Sequence, residues 1–327
     1  MFYIHDMKKI CFLIPQGTVR PGTLFGVLEV FEKANAYASE KGLRPFYDIK
    51  LAGGNIKQSL WNGSLAIKTS AITDIKTQDL IIIPPIDEFD SAPRKKNKTL
   101  LNWVIDQYES GAEIASLCTG AFFLAFTGLL KDKECSTHWR AEHLFLQMFP
   151  DVKLKVDKII TDNRGIYSAG GASSSLNLAL YLVEKHYGRA AALHCAKILQ
   201  IDIERSSQLQ FILFEGQKNH GDEEVKKIQL FIEKNVKDKI TVDFLSGKFA
   251  IAKRSLIRRF KKATNNAPIE YIQRIKVEAA KRSLELSHKT INEVMYSVGY
   301  NDVKAFRDIF KKISGLTPIE YKSRYKN

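Results

Sequence analysis

The last third of the chain contains an internal repeat at an offset of 50 residues, and this repeat limits strongly what the segment can fold into. Phe260-Lys-Lys262 recurs as Phe310-Lys-Lys312, and Pro268-Ile-Glu-Tyr271 recurs as Pro318-Ile-Glu-Tyr321. Identities at this density indicate two copies of one supersecondary unit. This third is therefore expected to be a duplicated module.

Each copy has the pattern of a short helix, a tight turn and a second amphipathic helix, with Thr241 expected to cap the first of them. The turns are predicted at 249–252 and at 299–301. The predicted helices, including one that joins the two copies, are 242–248, 253–264, 269–286, 292–298 and 302–313. This pattern predicts an all-α domain with two helix-turn-helix modules.

The second helix of each copy has an apolar side and a basic side. Leu256 and Phe260 lie one turn apart, as do Phe306 and Phe310, and these pairs are expected to pack inward. The candidate DNA-contacting residues are Lys253, Arg254, Ser255, Ile257, Arg258 and Lys261 in the first copy, and Asn301, Lys304, Arg307 and Lys311 in the second. Arg can pair with guanine in the major groove, and Lys neutralises phosphate. A solvated basic face is the alternative, and the repeat favours DNA over it.

The distribution of charge supports an anionic partner for the same third. Residues 222–327 hold 24 Lys and Arg against 13 Asp and Glu, a net charge of +11, whereas residues 1–221 hold 26 against 23, a net charge of +3. A basic block of this size seeks nucleic acid or an anionic membrane surface. Because the segment has neither an RNP-like strand motif nor a long basic helix with an exposed aromatic face, double-stranded DNA is preferred over RNA or a membrane.

Short apolar runs alternate with helical patterns in the first two thirds of the chain. The run at 80–83, Leu-Ile-Ile-Ile, is apolar without interruption, which is typical of a strand buried on both faces of a parallel sheet. The predicted strands are 9–14, 47–52, 79–83 and 113–117, with a hairpin over 158–171. The predicted helices are 24–38, 100–110, one that opens at Gly120, 174–185 and 189–199. This order predicts an α/β doubly wound, flavodoxin-like domain.

The predicted division of the chain is a ligand-binding or dimerisation domain over 1–190, a helical connector and linker over 191–222, and a DNA-binding domain over 223–327. The four cysteines form no CxxC motif and no zinc-like spacing with His, so no disulfide scaffold, metal or cofactor is predicted. The longest near-apolar stretch, 120–130, is about half the length that a membrane helix needs. We therefore expect a cytoplasmic protein without a membrane partner.

The most informative position in the first two thirds is Cys118, which follows a predicted strand and comes just before the helix that opens at Gly120. This is the strand-turn-helix context of a nucleophile elbow, with sulfur in place of the serine oxygen. A thiol at a helix N-terminus has its thiolate favoured by the helix dipole. A buried small hydrophobe is the alternative, and the local sequence leaves both interpretations open.

The segment from about residue 8 to 190 resembles the class I glutamine amidotransferase-like superfamily in its ThiJ/PfpI branch. The motifs are FGVLEVFEKAN (25–35), SLCTGAFFLAFTGLL (116–130), STHW (136–139) and YSAGG (167–171). The resemblance implies that Cys118 matches the reactive cysteine and that His138 matches a histidine near it. It also implies an acid where this chain has Thr23 and a glycine pair where it has Pro85 and Ile86. Since Thr23 cannot titrate and Pro85 has no amide hydrogen, no enzyme is expected, and Cys118, His138 and Thr23 are candidates for a vestigial site or pocket.

The segment from about residue 223 to the end resembles the AraC/XylS-type DNA-binding domain. The motifs are KRSLIRRFKKATNNAPIEYIQRIKVEAAKRSL (253–284) and INEVMYSVGYNDVKAFRDIFKKISGLTPIEYKSRY (291–325). The resemblance implies that the first recognition helix makes more of the base contacts and that the second contributes backbone contacts.

The whole arrangement resembles AraC-type regulators with a ThiJ/PfpI-like N-terminal domain. It implies a sequence-specific transcriptional regulator whose first domain senses a small molecule or mediates dimerisation. The expected partners are double-stranded DNA, an unidentified small-molecule effector, a second copy of the chain and, as a further candidate, RNA polymerase. The alternative is a cysteine-dependent hydrolase or hydratase of the ThiJ/PfpI type that carries a DNA-binding module.

Overall fold

The structure is a computed structural model that describes residues 6–54, 57–60, 64–87, 91–203, 205 and 207–326. The chain divides into two compact units, Met1–Gln208 and Leu209–Asn327. This division lies inside the segment 191–222 that the sequence predicts as a connector. No helix among the described residues has both the length and the apolar character needed to cross a bilayer.

The first unit is built on a mostly parallel sheet. Its strands are β1 (Lys8–Ile14), β2 (Tyr47–Gly53), β3 (Lys57–Leu60), β4 (Leu65–Lys68), β5 (Ser70–Ala71), β6 (Leu80–Ile83), β7 (Glu113–Leu117), β8 (Glu134–Cys135), β9 (Lys153–Leu154), β10 (Ile160–Asn163) and β11 (Ile166–Ala169). The main sheet has seven strands in the order β10-β11-β7-β6-β1-β2-β5. Neighbouring strands in it run parallel except for β10 and β11, which form the predicted hairpin.

Helices cover both faces of this sheet. They are α1 (Pro21–Glu40), α2 (Ser91–Lys96), α3 (Lys98–Glu109), α4 (Gly120–Phe126), α5 (Glu142–Met148), α6 (Ala172–Tyr187) and α7 (Arg189–Ile198). Alternate residues of β1 point to opposite faces: Ile10 and Phe12 join a core with α1, α6 and α7, whereas Cys11 and Leu13 join a core with α3 and α4. The predicted α/β doubly wound domain is therefore confirmed.

The structure adds elements and moves a boundary relative to the sequence analysis. The short strands β3, β4, β5, β8 and β9 and the helices α2 and α5 were not predicted, because elements of two to seven residues carry little periodicity. Helix α7 packs with α1 and α6, and its Ala191, Ala192 and Cys195 are part of their core. The structure thus assigns 191–198 to the first unit, whereas the sequence analysis placed these residues in the connector.

The second unit consists of helices in the part of the chain that the structure describes. They are α8 (Glu223–Lys234), α9 (Val242–Lys248), α10 (Lys253–Thr264), α11 (Pro268–Leu286), α12 (Ile291–Ser297), α13 (Val303–Ser314) and α14 (Pro318–Tyr325). One apolar core contains residues of α8 to α10, and a second contains residues of α12 to α14. Helix α11 contributes to both, through Tyr271 and Ile272 in the first core and through Val277 and Leu284 in the second.

The sequence repeat is also a repeat of structure. Helices α10 and α13 have 12 residues each, and both end on a hydroxyl that donates to the carbonyl four residues earlier. These bonds, from Thr264 and from Ser314, are 2.8 and 2.7 Å long. A left-handed residue follows each helix, Asn265 at φ 57° and Gly315 at φ 76°. The two predicted helix-turn-helix modules are therefore present with the same closing geometry.

The helix ends in the second copy differ from the prediction by one residue. The sequence pattern predicts helices at 292–298 and 302–313, whereas α12 and α13 begin at Ile291 and Val303. The reason lies in the caps: Thr290 accepts a hydrogen bond from the Glu293 amide at 3.2 Å, and Asp302 accepts one from the Ala305 amide at 2.8 Å. An N-cap residue precedes the first helical residue, so each cap fixes its helix start.

The left-handed residue of the turn is alanine in the first module and glycine in the second, which gives a test of the fold. The exposed Ala250 has φ 52° in the turn between α9 and α10, where the second module has Gly299 at φ 76°. A left-handed conformation strains a residue with a Cβ atom but not glycine. We expect Ala250→Gly to raise the free energy of unfolding by about 0.5–1 kcal/mol.

The measurement is urea denaturation of the full chain. Ala252→Gly is the matched control, because Ala252 is also exposed and has φ −54°. It should leave the stability unchanged or lower it. If Ala250→Gly destabilises the second unit as much as Ala252→Gly does, the left-handed turn is wrong.

Candidate DNA interface and cysteine elbow

The turn between β7 and α4 has the geometry of the predicted elbow. Cys118 occupies this turn at φ 52°, and its amide donates to the Ala169 carbonyl at the end of β11 at 3.0 Å. A Cβ atom on Gly120 would lie 2.7 Å from the Ile83 carbonyl oxygen, so only glycine lets α4 start so close to the end of β6. A left-handed non-glycine residue held in this way is a position of backbone strain.

The thiol of Cys118 is held in its protonated form. Its side chain is only 5% exposed, and burial raises the pKa of this thiol to about 11, although hydrogen bonds from Thr119 and the charge of Arg20 act in the opposite direction. The helix-dipole argument favours a thiolate, whereas in the structure the loss of hydration outweighs the Thr119 hydrogen bonds and the Arg20 charge and favours the thiol. At neutral pH the group behaves as a neutral thiol.

Hydrogen bonds join the loops after β1 and β6 beside the elbow. The Arg20 amide donates to the Pro85 carbonyl at 3.2 Å, and the Asp87 amide donates to the Thr18 carbonyl at 3.0 Å. The Arg20 guanidinium and the Asp87 carboxylate also form an ion pair at 2.5 Å. Pro85, at the position where the resemblance implies glycine, therefore acts as an acceptor in the contact between the loops after β1 and β6.

Thr119 joins this pair of loops to the elbow itself. Its hydroxyl donates to the Ile86 carbonyl at 2.7 Å. The acidic group that acts on the Cys118 thiol is Asp87, and Arg20 neutralises it. Thr23, where the resemblance implies an acid, lies half-buried in the first turn of α1. Sequence analysis missed Arg20 and Asp87 because they are 67 residues apart and neither belongs to a local motif.

His138 shares the electrostatic surroundings of Cys118. Burial lowers the pKa of His138, and the charges of Arg20 and Arg140 lower it further. The His138 Nδ1 atom accepts a hydrogen bond from the Arg140 amide at 3.2 Å. Its neighbour Thr137 donates through its hydroxyl to the Cys118 carbonyl at 3.0 Å. The structure thus brings the predicted pair, Cys118 and His138, to one place, with Arg20 as a cation that acts on both.

The last residue of the first unit reaches this same place. Gln208 is 2% exposed, its amide donates to the Asp157 carbonyl at 3.0 Å, and its side chain donates to the Thr137 carbonyl at 3.1 Å. A Cβ atom on Gly170 would lie 2.4 Å from the Gln208 Nε2 atom, so the glycine makes room for this side chain. Two hydrogen bonds, through Thr137, therefore connect Cys118 to the end of the first unit.

In the second unit, the predicted DNA-contacting residues lie on the outer sides of α10 and α13. Leu256, Phe260, Phe306 and Phe310 are buried, as predicted. The exposed candidates are Lys253, Arg254, Ile257, Arg258 and Lys261 on α10, and Asn301, Lys304, Arg307 and Lys311 on or just before α13, while Ser255 is half-buried. Each module thus presents a basic helix face to solvent.

Some of the basic side chains of α10 form ion pairs with carboxylates and others do not. Lys253 pairs with Asp243 at 2.7 Å, whereas Arg254, Arg258 and Lys261 form no ion pair with any residue that the structure describes. Arg259 was not among the candidates, and the structure explains its different role. Its guanidinium makes two hydrogen bonds, of 2.9 and 2.6 Å, to the carboxylate of Asp222 at the start of α8.

Comparison with protein families settles the class of the first unit. The DJ-1/PfpI family model matches residues 22–185, half of the chain, and includes the elbow. The chain belongs to the DJ-1/PfpI family. A helix-turn-helix domain model matches residues 245–324, which contain α10 to α13. Both resemblances predicted from the sequence, to a ThiJ/PfpI-like domain and to an AraC-type helix-turn-helix domain, are confirmed.

Several proteins that are named as transcriptional regulators are similar to this chain. The HTH-type transcriptional regulator ArgR of Pseudomonas aeruginosa is 25% identical over 232 residues, which cover 71% of this chain and 70% of ArgR. The HTH-type transcriptional regulator CdhR of the same species is 21% identical over 299 residues, or 90% of this chain and 85% of CdhR. A solved AraC family transcriptional regulator from Pseudomonas putida has a TM-score of 0.50 at 19% identity and covers 59% of this chain and 99% of its own, which shows the shared fold.

The raised pKa of Cys118 gives a test of its chemistry. Because the thiolate is the reactive form, we expect slow alkylation by iodoacetamide at pH 7 and a rate that rises with pH up to about pH 11. Peptide-resolved mass spectrometry of the native chain measures this rate for each cysteine. Arg20→Ala should slow the reaction further at a given pH, since the Arg20 charge favours the thiolate.

The matched control is Arg44→Ala, which removes an exposed arginine whose charge does not act on the Cys118 thiol, and it should leave the rate unchanged. A rate for Cys118 that already reaches its plateau at or below pH 7 would contradict the protonated thiol and would support the enzymatic alternative.

Proposed function

We propose that this protein is a sequence-specific DNA-binding transcriptional regulator whose second unit binds DNA and whose first unit controls that binding. The observation that carries the proposal is the pair of structurally equivalent helix-turn-helix modules, each with an exposed basic helix, α10 and α13. The names of the relatives ArgR and CdhR, both HTH-type transcriptional regulators, support the same conclusion. The net charge of the last third, +11, adds the attraction to phosphate that such binding needs.

The spacing of the modules fits two grooves on one face of a duplex. Helix α11 joins them and has 19 residues, a length of about 28 Å at 1.5 Å per residue. Successive major-groove openings on one face of B-DNA are about 34 Å apart. In the proposal, α10 enters one groove with Arg254, Arg258 and Lys261, and α13 enters the next with Lys304 and Lys311.

The first unit is proposed to bind a small-molecule effector at the elbow and to form the homodimer. Arg20, His138 and Cys118 supply a cation, a neutral imidazole and a neutral thiol at one place. Thr137 and Gln208 connect this place to the end of the unit through two hydrogen bonds. A ligand changes DNA affinity only through different affinities for two states of the protein, and this connection offers one physical route for such a difference.

The proposal assigns no catalysis to the elbow. Burial keeps the pKa of Cys118 at about 11, Thr23 offers no carboxyl group, and Pro85 has no amide hydrogen for an oxyanion. A cysteine-dependent hydrolase of this type needs a reactive thiolate with an acid partner. We therefore treat Cys118, His138 and Thr23 as residues of a vestigial active site that serves as a ligand pocket.

The first test is DNA binding by the purified full chain. We expect selective binding to the duplex upstream of its own gene over a scrambled duplex, with an affinity that falls steeply between about 50 and 200 mM salt because phosphate contacts release counterions. Electrophoretic mobility shifts or fluorescence anisotropy measure both quantities. Equal affinity for both duplexes at every salt concentration would contradict sequence-specific regulation.

A second test separates base contacts from phosphate contacts on α10. Arg254→Ala and Arg258→Ala should each cost about 1–3 kcal/mol of binding free energy if the side chain pairs with a base, with relaxed specificity at one position. Anisotropy titrations against single-base variants of the preferred duplex measure this. An equal loss on every sequence would instead make the residue a phosphate contact.

Two arginines on the same unit serve as controls. Arg282→Ala removes an exposed charge from α11 and should change the affinity little. Arg259→Ala should lower the stability of the unit, because it removes two hydrogen bonds between α10 and the Asp222 carboxylate at the start of α8. A loss for Arg282→Ala as large as for Arg254→Ala would assign the effect to net charge and contradict a recognition role for α10.

A further inference from the structure

A buried lysine lies between the two modules. Lys276 is on the joining helix α11 and is only 6% exposed. Its ammonium donates to the carbonyls of Val236 at 2.6 Å and Asp238 at 3.1 Å, in the segment that leads from α8 into α9. It also donates to the Val298 carbonyl at 2.7 Å, at the end of α12. One side chain thus binds the backbone of the second module and of the segment that leads into the first.

The backbone is closely packed around the Lys276 ammonium. A Cβ atom on Gly299 would lie 2.1 Å from the Lys237 carbonyl oxygen and 2.8 Å from the Lys276 Nζ atom. Gly299 forms the turn of the second module, and Lys237 lies in the segment before the first module. The turn of one module is therefore in direct contact with the segment that leads into the other.

The buried ammonium of Lys276 depends on its hydrogen-bond acceptors, and this dependence holds the surrounding backbone in place. A buried ammonium is costly unless its donors are satisfied, and here three carbonyls accept from it. The ammonium also lies over the face of the Tyr300 ring, 5.7 Å from the ring centre, in a cation–π contact. Burial still lowers the pKa of Lys276. Any movement of one module away from the other leaves this amine without part of its acceptor set.

A second buried lysine on α11 has a different set of contacts. Lys281 is 2% exposed, and its ammonium donates to the Ile212 carbonyl at 2.6 Å and to the Glu278 carboxylate at 3.0 Å. Ile212 lies before α8, and Glu278 is on α11 itself. Lys281 therefore makes no hydrogen bond to the turn of the second module in the described part of the chain, although its burial is similar.

We propose that Lys276 is a positioning residue that fixes α13 at one distance and angle from α10, and so sets the groove spacing that the protein accepts on DNA. The inference rests on the proposed function, because it needs both modules to contact one duplex. Lys276 itself touches no DNA in this proposal. It acts through the backbone at the end of α12 and through the segment that leads into α9.

The experiment compares DNA spacing preferences in the full chain. A duplex is first selected in vitro with the wild-type protein, and hydroxyl-radical footprinting locates the two protected grooves. Duplexes with 1, 2 or 5 additional base pairs between the grooves are then titrated. We expect the 5-base-pair insertion to weaken wild-type binding by at least about tenfold, the equivalent of one lost base contact.

The variants separate positioning from general stability. Lys276→Met should bind the selected duplex about tenfold more weakly and should distinguish the spacings by less than about threefold, since α13 is no longer held in place. Lys276→Arg, which keeps a charged donor, should restore part of the discrimination. Lys281→Met is the matched control: it removes an equally buried lysine and should keep the wild-type ratio between spacings, even where it lowers the melting temperature.

The outcomes distinguish the two proposals. If Lys276→Met folds and keeps the wild-type ratio between spacings, the positioning role is wrong while DNA binding stands. A wild-type footprint on a single groove overturns the positioning role in the same way. Failure of the wild-type protein to select any duplex overturns the proposed function itself.

If Lys276→Met does not fold, Gly299→Ala takes its place in the same titrations. Its Cβ atom would lie 2.1 Å from the Lys237 carbonyl oxygen and 2.8 Å from the Lys276 Nζ atom, so it displaces the turn of the second module without removing the amine. It should flatten the spacing preference as Lys276→Met does, and an unchanged preference overturns the proposal.

Discussion

The second unit depends on the burial of helix α11 in two apolar cores at once. Tyr271 packs on Phe260 in the first core, with ring centres 5.2 Å apart, and Val277 and Leu284 belong to the second. Full burial of one large apolar side chain contributes about 1.5–3 kcal/mol. Since both cores draw on one helix, neither module has a complete core without it, and the two modules form a single folding unit.

Burial disfavours the charged form at both of the positions that matter most, but the two side chains have different partners. Around Cys118 the removal of water favours the neutral thiol, because the Thr119 hydrogen bonds and the Arg20 charge compensate only in part. Around Lys276 three backbone carbonyls replace water, so a charged donor has partners in the interior. The first arrangement suits a ligand pocket better than a nucleophile, and the second suits a structural contact that must not shift.

The sequence predicted best where local signals were strong. The limits of α9 were correct because Thr241 caps this helix, and those of α10 were also correct. The predicted limits of α12 and α13 were displaced by one residue because Thr290 and Asp302 were not assigned as caps. The position of the elbow followed from strand, cysteine and glycine. Its electrostatics did not, because a pair such as Arg20 and Asp87 forms only in the folded chain, and burial depth has no local signature.

The pair between Asp222 and Arg259 has a consequence for how α10 meets a groove. Successive residues of an α-helix point about 100° apart, so Arg258 and Arg259 cannot face the same surface. The buried Leu256 and Phe260, together with the pairing of Arg259 and Asp222, set the rotation of α10 about its own axis, and Arg258 lies on the exposed side. Two adjacent arginines therefore have different roles: Arg259 holds α10 against the start of α8, and Arg258 is exposed to solvent.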